Sequence, residues 1–136
     1  MMRNLEQIRA QNAFAASGDI LPGAGGSRMI AKKVPAQIIT NGFLGALAFA
    51  IENAANKDGT IDEKKGGYYS VFQAIVTHLR TKELDLGVKA ENPVDLFTEL
   101  SKKETSAATL RMITAEAMAY LNYLRRFAKP GKDEEE

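Results

Sequence analysis

Apolar residues recur every three or four positions along most of this 136-residue chain, the period of an α-helix and not of a strand. The clearest case is Thr105 to Lys129, TSAATLRMITAEAMAYLNYLRRFAK, which contains neither glycine nor proline. A helix of that length spans about 36 Å. Leu110, Ile113, Ala117, Tyr120, Leu121, Leu124 and Phe127 share one face, which predicts a core-facing stripe. A second stripe, Arg111, Ala115, Met118, Asn122, Arg125 and Lys129, runs at the same spacing and offers cations. Ala115 and Ala119 are small enough to let another backbone approach. Pro130 cannot continue the helix and Gly131 takes the turn, so the helix ends there.

The same period places the other elements. Met2 to Ser17 predicts a first helix, with Leu5, Ile8 and Phe14 as its apolar positions. Gly18 to Ser27 holds four glycines and a proline and reads as a loop. Ser27 can cap a second helix over Arg28–Val34. Pro35 is expected to kink or restart that helix, because it removes a hydrogen bond and crowds the carbonyl four residues back. Thr40-Asn41-Gly42 reads as a hinge, and Phe43 to Ala55 as a very apolar helix with Phe43, Leu44, Leu47 and Ile51 on one side. After a polar loop, Lys57 to Gly67, a helix follows over Tyr68–Thr81 on Tyr68, Phe72, Ile75, Val76 and Leu79. Asn92-Pro93-Val94-Asp95 combines a cap residue, proline at the first position and an early acid, a strong helix start. Val94, Leu96, Phe97 and Leu100 are expected to pack it. With no sustained apolar–polar alternation, the fold class is all-α: one compact domain of about six helices over residues 1–129, followed by an acidic tail, 130–136, expected to be disordered.

Composition narrows the setting. Hydrophobic residues make up 45% of the chain, enough for a true core. There is no cysteine, which excludes a disulfide framework and thiolate metal sites and suits a reducing cytoplasm. The first residues lack the long apolar stretch of a signal peptide, and no run approaches the ~20 apolar residues of a membrane span. The net charge of +1 conceals an uneven distribution. Residues 1–40 carry five Lys/Arg against two Asp/Glu, and 111–132 carry five against one. The stretch between them is acidic, and Asp133 to Glu136 masks the imbalance. Two basic ends around an acidic middle suit a polyanionic partner.

Motifs for catalysis do not emerge. The loop GAGGSR lacks the lysine and spacing of a P-loop, and Arg28 stands where a dinucleotide fingerprint requires glycine. NKDGTID has the flavour of a calcium loop, but the alignment places Ala54 and Lys65 at positions that need acidic donors. It is expected to be an ordinary turn. His78 is the single histidine, expected at a surface or helix end, with no partner set for zinc. No nucleophile elbow is present. Glu116 is the one acid in a basic, apolar helix and is expected to pair with an arginine or lysine or to cap a partner backbone. The chain is therefore expected to be no enzyme, with no cofactor, metal or small-molecule substrate.

Two stretches carry a resemblance. Lys32 to Phe49, KKVPAQIITNGFLGALAF, has a basic pair, then Pro35-Ala36, the Thr40-Asn41-Gly42 hinge and Leu47-Ala48-Phe49. Thr114 to Ala128, TAEAMAYLNYLRRFA, has Thr114-Ala115-Glu116-Ala117, then Leu121-Asn122, Leu124, Arg125, Arg126, Phe127 and Ala128. In these residues and their order the chain resembles the small-subunit family of the type III-B CRISPR effector, the fifth subunit of the Cmr RNA-silencing complex. Together the two stretches cover about a quarter of the chain. The resemblance implies a helical, non-catalytic subunit in antiviral defence. Copies of it stack beside other Cmr subunits and help line the path of guide and target RNA. The acidic tail and near-neutral total depart from a dedicated RNA binder.

Arg28, Lys32, Lys33, Arg111, Arg125, Arg126 and Lys129 are the candidate nucleic-acid contacts, gripping phosphates without reading bases. In the alternative reading, the same basic faces meet acidic patches on neighbouring protein subunits, and the chain is a scaffold.

Overall fold

The computed structural model describes residues 4–18, 26–62 and 67–128, with 26–28 as helical backbone only. The glycine-rich loop, part of the second polar loop, the side chains of Ser27 and Arg28, Lys129 and the acidic tail lie outside the described residues. Among the described residues, five α-helices follow one another: α1 (Leu5–Ala16), α2 (Gly26–Ala54), α3 (Tyr68–Leu79), α4 (Pro93–Leu100) and α5 (Ala107–Phe127), with a short 3-10 turn at Lys82–Leu84. No strand occurs among the described residues, only an isolated bridge between Ala55 and Ile61. The all-α expectation holds. The count of about six is met if α2 is divided where its backbone leaves helical geometry, at Gly42.

Local chemistry sets the ends of these helices. Asn4 and Gln7 form a reciprocal capping box at the start of α1, with N–H···O distances of 2.9 and 2.8 Å. Asn92 accepts from the Asp95 N–H at 2.8 Å, ahead of Pro93 in the first turn of α4. Ser106 caps α5 through the Thr109 N–H at 3.0 Å. α2 behaves differently from expectation at two points. It already includes Gly26 and Ser27, so Ser27 lies in the first turn and is not its cap. It also keeps helical dihedrals through Pro35 and departs from them at Gly42, with φ 81° and ψ 163°. The proline thus costs one backbone bond without restarting the helix. The break falls at the expected Thr40-Asn41-Gly42 hinge, on the residue whose missing Cβ permits that conformation.

The core lies where α2, α3 and α5 pack on one another, with α1 against α5 and α3, and α4 against α2 and α3. Val34, Phe43, Leu47, Phe72, Ile75, Leu96, Ile113, Tyr120, Leu121 and Leu124 are among its buried members. Phe43 and Phe72 meet edge to face at 5.9 Å between ring centres. Some apolar positions turn outward against expectation. Leu5 and Phe14 of α1, Val94 of α4 and Phe127 of α5 are exposed, while Ile8 and Ala13 carry the α1 contact. Their period was right, but three apolar positions on a short helix define its face only to within about one residue's rotation, ~100°. Within α2, Met29–Ala54 is long and apolar enough, by length and composition, to cross a membrane, with a mean hydropathy of 1.6 over an 18-residue stretch. Its isoleucines, leucines and phenylalanines raise the mean, although Lys32, Lys33 and Glu52 interrupt the segment. In this fold the segment supplies Ile30, Val34, Ile38, Phe43, Ala46, Leu47 and Ala50 to the core.

Candidate nucleic-acid interface

Two predicted cations from helices far apart in sequence come together. Lys32 and Pro35 of α2 and Met118, Ala119, Asn122 and Arg125 of α5 line one groove of about 360 Å³. Of the α5 members, Met118, Asn122 and Arg125 come from the stripe that the sequence set apart from the core face, and Ala119 lies beside it. Of the two small residues singled out in the sequence, Ala119 is half-buried and lines the groove between α2 and α5, whereas Ala115 is exposed and does not. Lys32 is exposed and Arg125 half-buried.

The other predicted contacts surround this pair more loosely. Lys33 is exposed and follows Lys32, so it leaves α2 about 100° away from the groove. Arg111 is exposed on the Arg125 side of α5, about four turns or ~21 Å nearer its start. Arg126 is exposed, and its Nε donates to the Asn122 carbonyl at 3.2 Å, which lays the side chain back along the helix. Arg28 offers no described side chain and Lys129 lies outside the described residues. Among the described residues, Lys32, Lys33, Arg111, Arg125 and Arg126 have no carboxylate within ion-pair distance. Within the described residues their charge is therefore not spent.

Arg9 is the basic side chain that is spent there. Its Nε and Nη2 donate to the two oxygens of Glu116, each at 2.8 Å, in a bidentate pair that joins α1 to α5. His78 Nε2 reaches the same carboxylate at 2.9 Å. On the other side of the ring, the Asn12 amide lies 2.9 Å from Nδ1 and also donates to Thr81 Oγ1 at 2.9 Å. An amide N–H can only donate, so Nδ1 accepts and the proton sits on Nε2, aimed at Glu116. The imidazole stacks on Tyr120 at 4.1 Å and 11°.

His78 thus lies at the end of α3 as expected, but it is 1% exposed and not a surface residue. Burial pushes its pKa down, against the pull of Glu116, and keeps the ring neutral. Burial alone would raise the Glu116 carboxyl, but the bonds from Arg9 and His78 outweigh it and hold the pKa below the usual value. The Glu116 bond in turn raises the Arg9 guanidinium. The arrangement stitches three helices together. Its acid is already occupied by a guanidinium and an imidazole, a poor state for accepting a substrate proton.

Sequence reasoning singled out Glu116 and expected an arginine or lysine partner, but the identity of Arg9, 107 residues away, is a tertiary fact. Pro35 as a groove wall was likewise missed, because a helix uninterrupted through proline was not expected. Met118 and Asn122 carried a signal in their shared stripe with Arg125.

A family model described as CRISPR-associated protein (Cas_Cmr5) matches residues 5–130, nearly the whole chain. Comparison with curated proteins and with solved structures gives no match.

Proposed function

This chain belongs to the CRISPR-associated Cmr5 family, the small subunits of type III-B complexes, and we propose that within such a complex it holds RNA by its phosphates and catalyses nothing. The observation that carries this reading is the groove in which Lys32 and Arg125, from two different helices, stand without carboxylate partners among the described residues. Arginine in the last turn of a helix also complements the helix dipole. That explains Arg125 and Arg126 on α5 but not Lys32, which lies well inside α2. Phosphate contact needs such spaced cations and no base-specific geometry. Arg111 extends the same side of α5, and Lys33 and Arg126 add charge near it. Guide and target RNA are thus met through the complex, in the cytoplasm, alongside other Cmr subunits and further copies of this chain.

The test is charge reversal in the assembled complex. Arg125→Glu with Arg126→Glu is expected to reduce retention of the target strand at least tenfold at moderate salt, on the order of the loss from two phosphate contacts and two new repulsions. Unchanged retention at low salt contradicts the assignment.

A second reading makes the chain a scaffold whose basic faces meet neighbouring subunits. It draws on Ile39 and Phe49, which α2 leaves 76% and 42% exposed, since exposed large apolar side chains favour protein contacts. Under that reading the same reversals release the subunit from the complex before any RNA is added.

A further inference from the structure

α1 and the end of α5 leave two phenylalanines in solvent. Phe14 is 68% exposed and Phe127 39%. Their rings meet edge to face, with centres 5.4 Å apart and planes at 83°. In an edge-to-face pair the edge of one ring covers only one face of the other, so part of the π-surface of two exposed rings stays open. Neither side chain belongs to the buried cluster that holds the fold together.

The surroundings select among occupants. Arg125, Arg126 and Phe127 are consecutive on a helix, so their side chains leave α5 about 100° apart and ring its end. Going round that end, one meets the groove cation, then the exposed Arg126, then the aromatic pair. A single strand of nucleic acid has this alternation of anionic backbone and flat base, and base–aromatic stacking beside backbone cations is how such strands are held without sequence preference. An apolar protein surface would match the rings but would leave Arg126 facing it without an anion.

We infer that the Phe14–Phe127 pair is a stacking platform for an unpaired RNA base, with Arg126 and Arg125 holding the phosphates on either side of the corresponding nucleotide. The inference rests on the phosphate-binding reading above and adds a base contact to it. The contact is tolerant of sequence, because every base has a π-face.

The experiment compares two probes on the full chain at low salt: a short oligoadenylate, and an abasic strand of the same length with the same phosphates. The oligoadenylate is expected to bind about five- to tenfold more tightly, the range for one exposed stacked base. Phe14→Ala paired with Phe127→Leu, which keeps an apolar cover at the more enclosed position, is expected to abolish that difference. The affinity for the abasic strand should stay as it was. A fluorescent purine analogue in the strand should be quenched by the wild-type chain and not by the variant. Equal binding of the two strands by the wild type overturns the stacking platform and leaves the phosphate contacts standing. Failure of both strands to bind overturns the phosphate reading and this inference with it. A variant that keeps the full preference for the base-bearing strand, yet no longer enters the complex, assigns the rings to a protein partner and overturns the proposal.

Discussion

Glu116 is held from two sides, by a guanidinium that is always charged and by an imidazole that burial keeps neutral. That pairing has a pH consequence. Unfolded, His78 takes up a proton near its ordinary value of 6.5, whereas the folded ring, with Asn12 on one nitrogen and Glu116 on the other, resists it. The unfolded state then binds more protons, so stability falls as the pH drops through 6.5. Glu116 acts in the same direction lower down. Its contribution is present above its ordinary value of 4.5 and is lost as the pH falls through its depressed folded value. The melting temperature should therefore decline in two stages on acidification. His78→Gln, which cannot take up a proton, should remove the first stage and keep the second. A wild-type melting temperature that is flat or rising below 6.5 would sink this account of the ring.

Tyr120 supplies a second residue-scale test. Its hydroxyl is buried without a hydrogen-bond partner, and burial raises its pKa. Tyr120→Phe keeps the stack on His78 and removes the unsatisfied group, so it should be neutral or stabilising by about 1 kcal/mol in denaturant titration. A loss of that size would mean that the hydroxyl has a partner in solution. None of this was legible in the chain. A lone histidine between Thr77 and Leu79 carries no sign of what meets it, and its burial depends on Asn12 and Glu116 arriving from other helices.

At the scale of elements, much was legible because short-range chemistry decides it. The Asn92-Pro93 start, the uninterrupted α5 and the break at Gly42 all follow from rules acting over a few residues. Pro35 does not restart α2, whose packing against α3, α4 and α5 offsets the loss of one helical hydrogen bond. Gly42 sharpens into a prediction. Its φ of 81° with ψ of 163° lies in a region that is essentially glycine-only, not the left-handed helical region that asparagine tolerates. A Cβ there would meet nothing within 4 Å, so crowding adds no cost and the backbone supplies all of it. Gly42→Ala should destabilise by about 1–3 kcal/mol, and valine by more. Gly42→Asn should give no rescue relative to alanine. Equal melting temperatures for glycine and alanine at this position would show that the bend between the two parts of α2 does not need glycine.

For the whole molecule, the sequence carried the all-α class and the existence of two basic segments. It could not tell which of seven candidate cations share a surface, since that depends on how α2 crosses α5. Lys32 and Arg125 do share one, and Arg111 and Lys33 stand further off. The outward turn of Phe14 and Phe127 was equally hidden, because a period identifies a face more readily than its limits. The consequence for function is electrostatic. Cations not used by the fold remain available to a polyanion, while the paired Arg9 is consumed in joining α1 to α5.

The most direct measurement is the salt dependence of RNA affinity for the complex carrying wild-type chain, Lys32→Gln or Arg125→Gln. If both side chains hold phosphates of one strand, each substitution should lower the slope of log affinity against log salt by about one. Both substitutions together should lower it by the sum, with subunit incorporation unchanged. Three parallel lines, with the slope untouched by removal of either charge, would contradict phosphate binding in the groove.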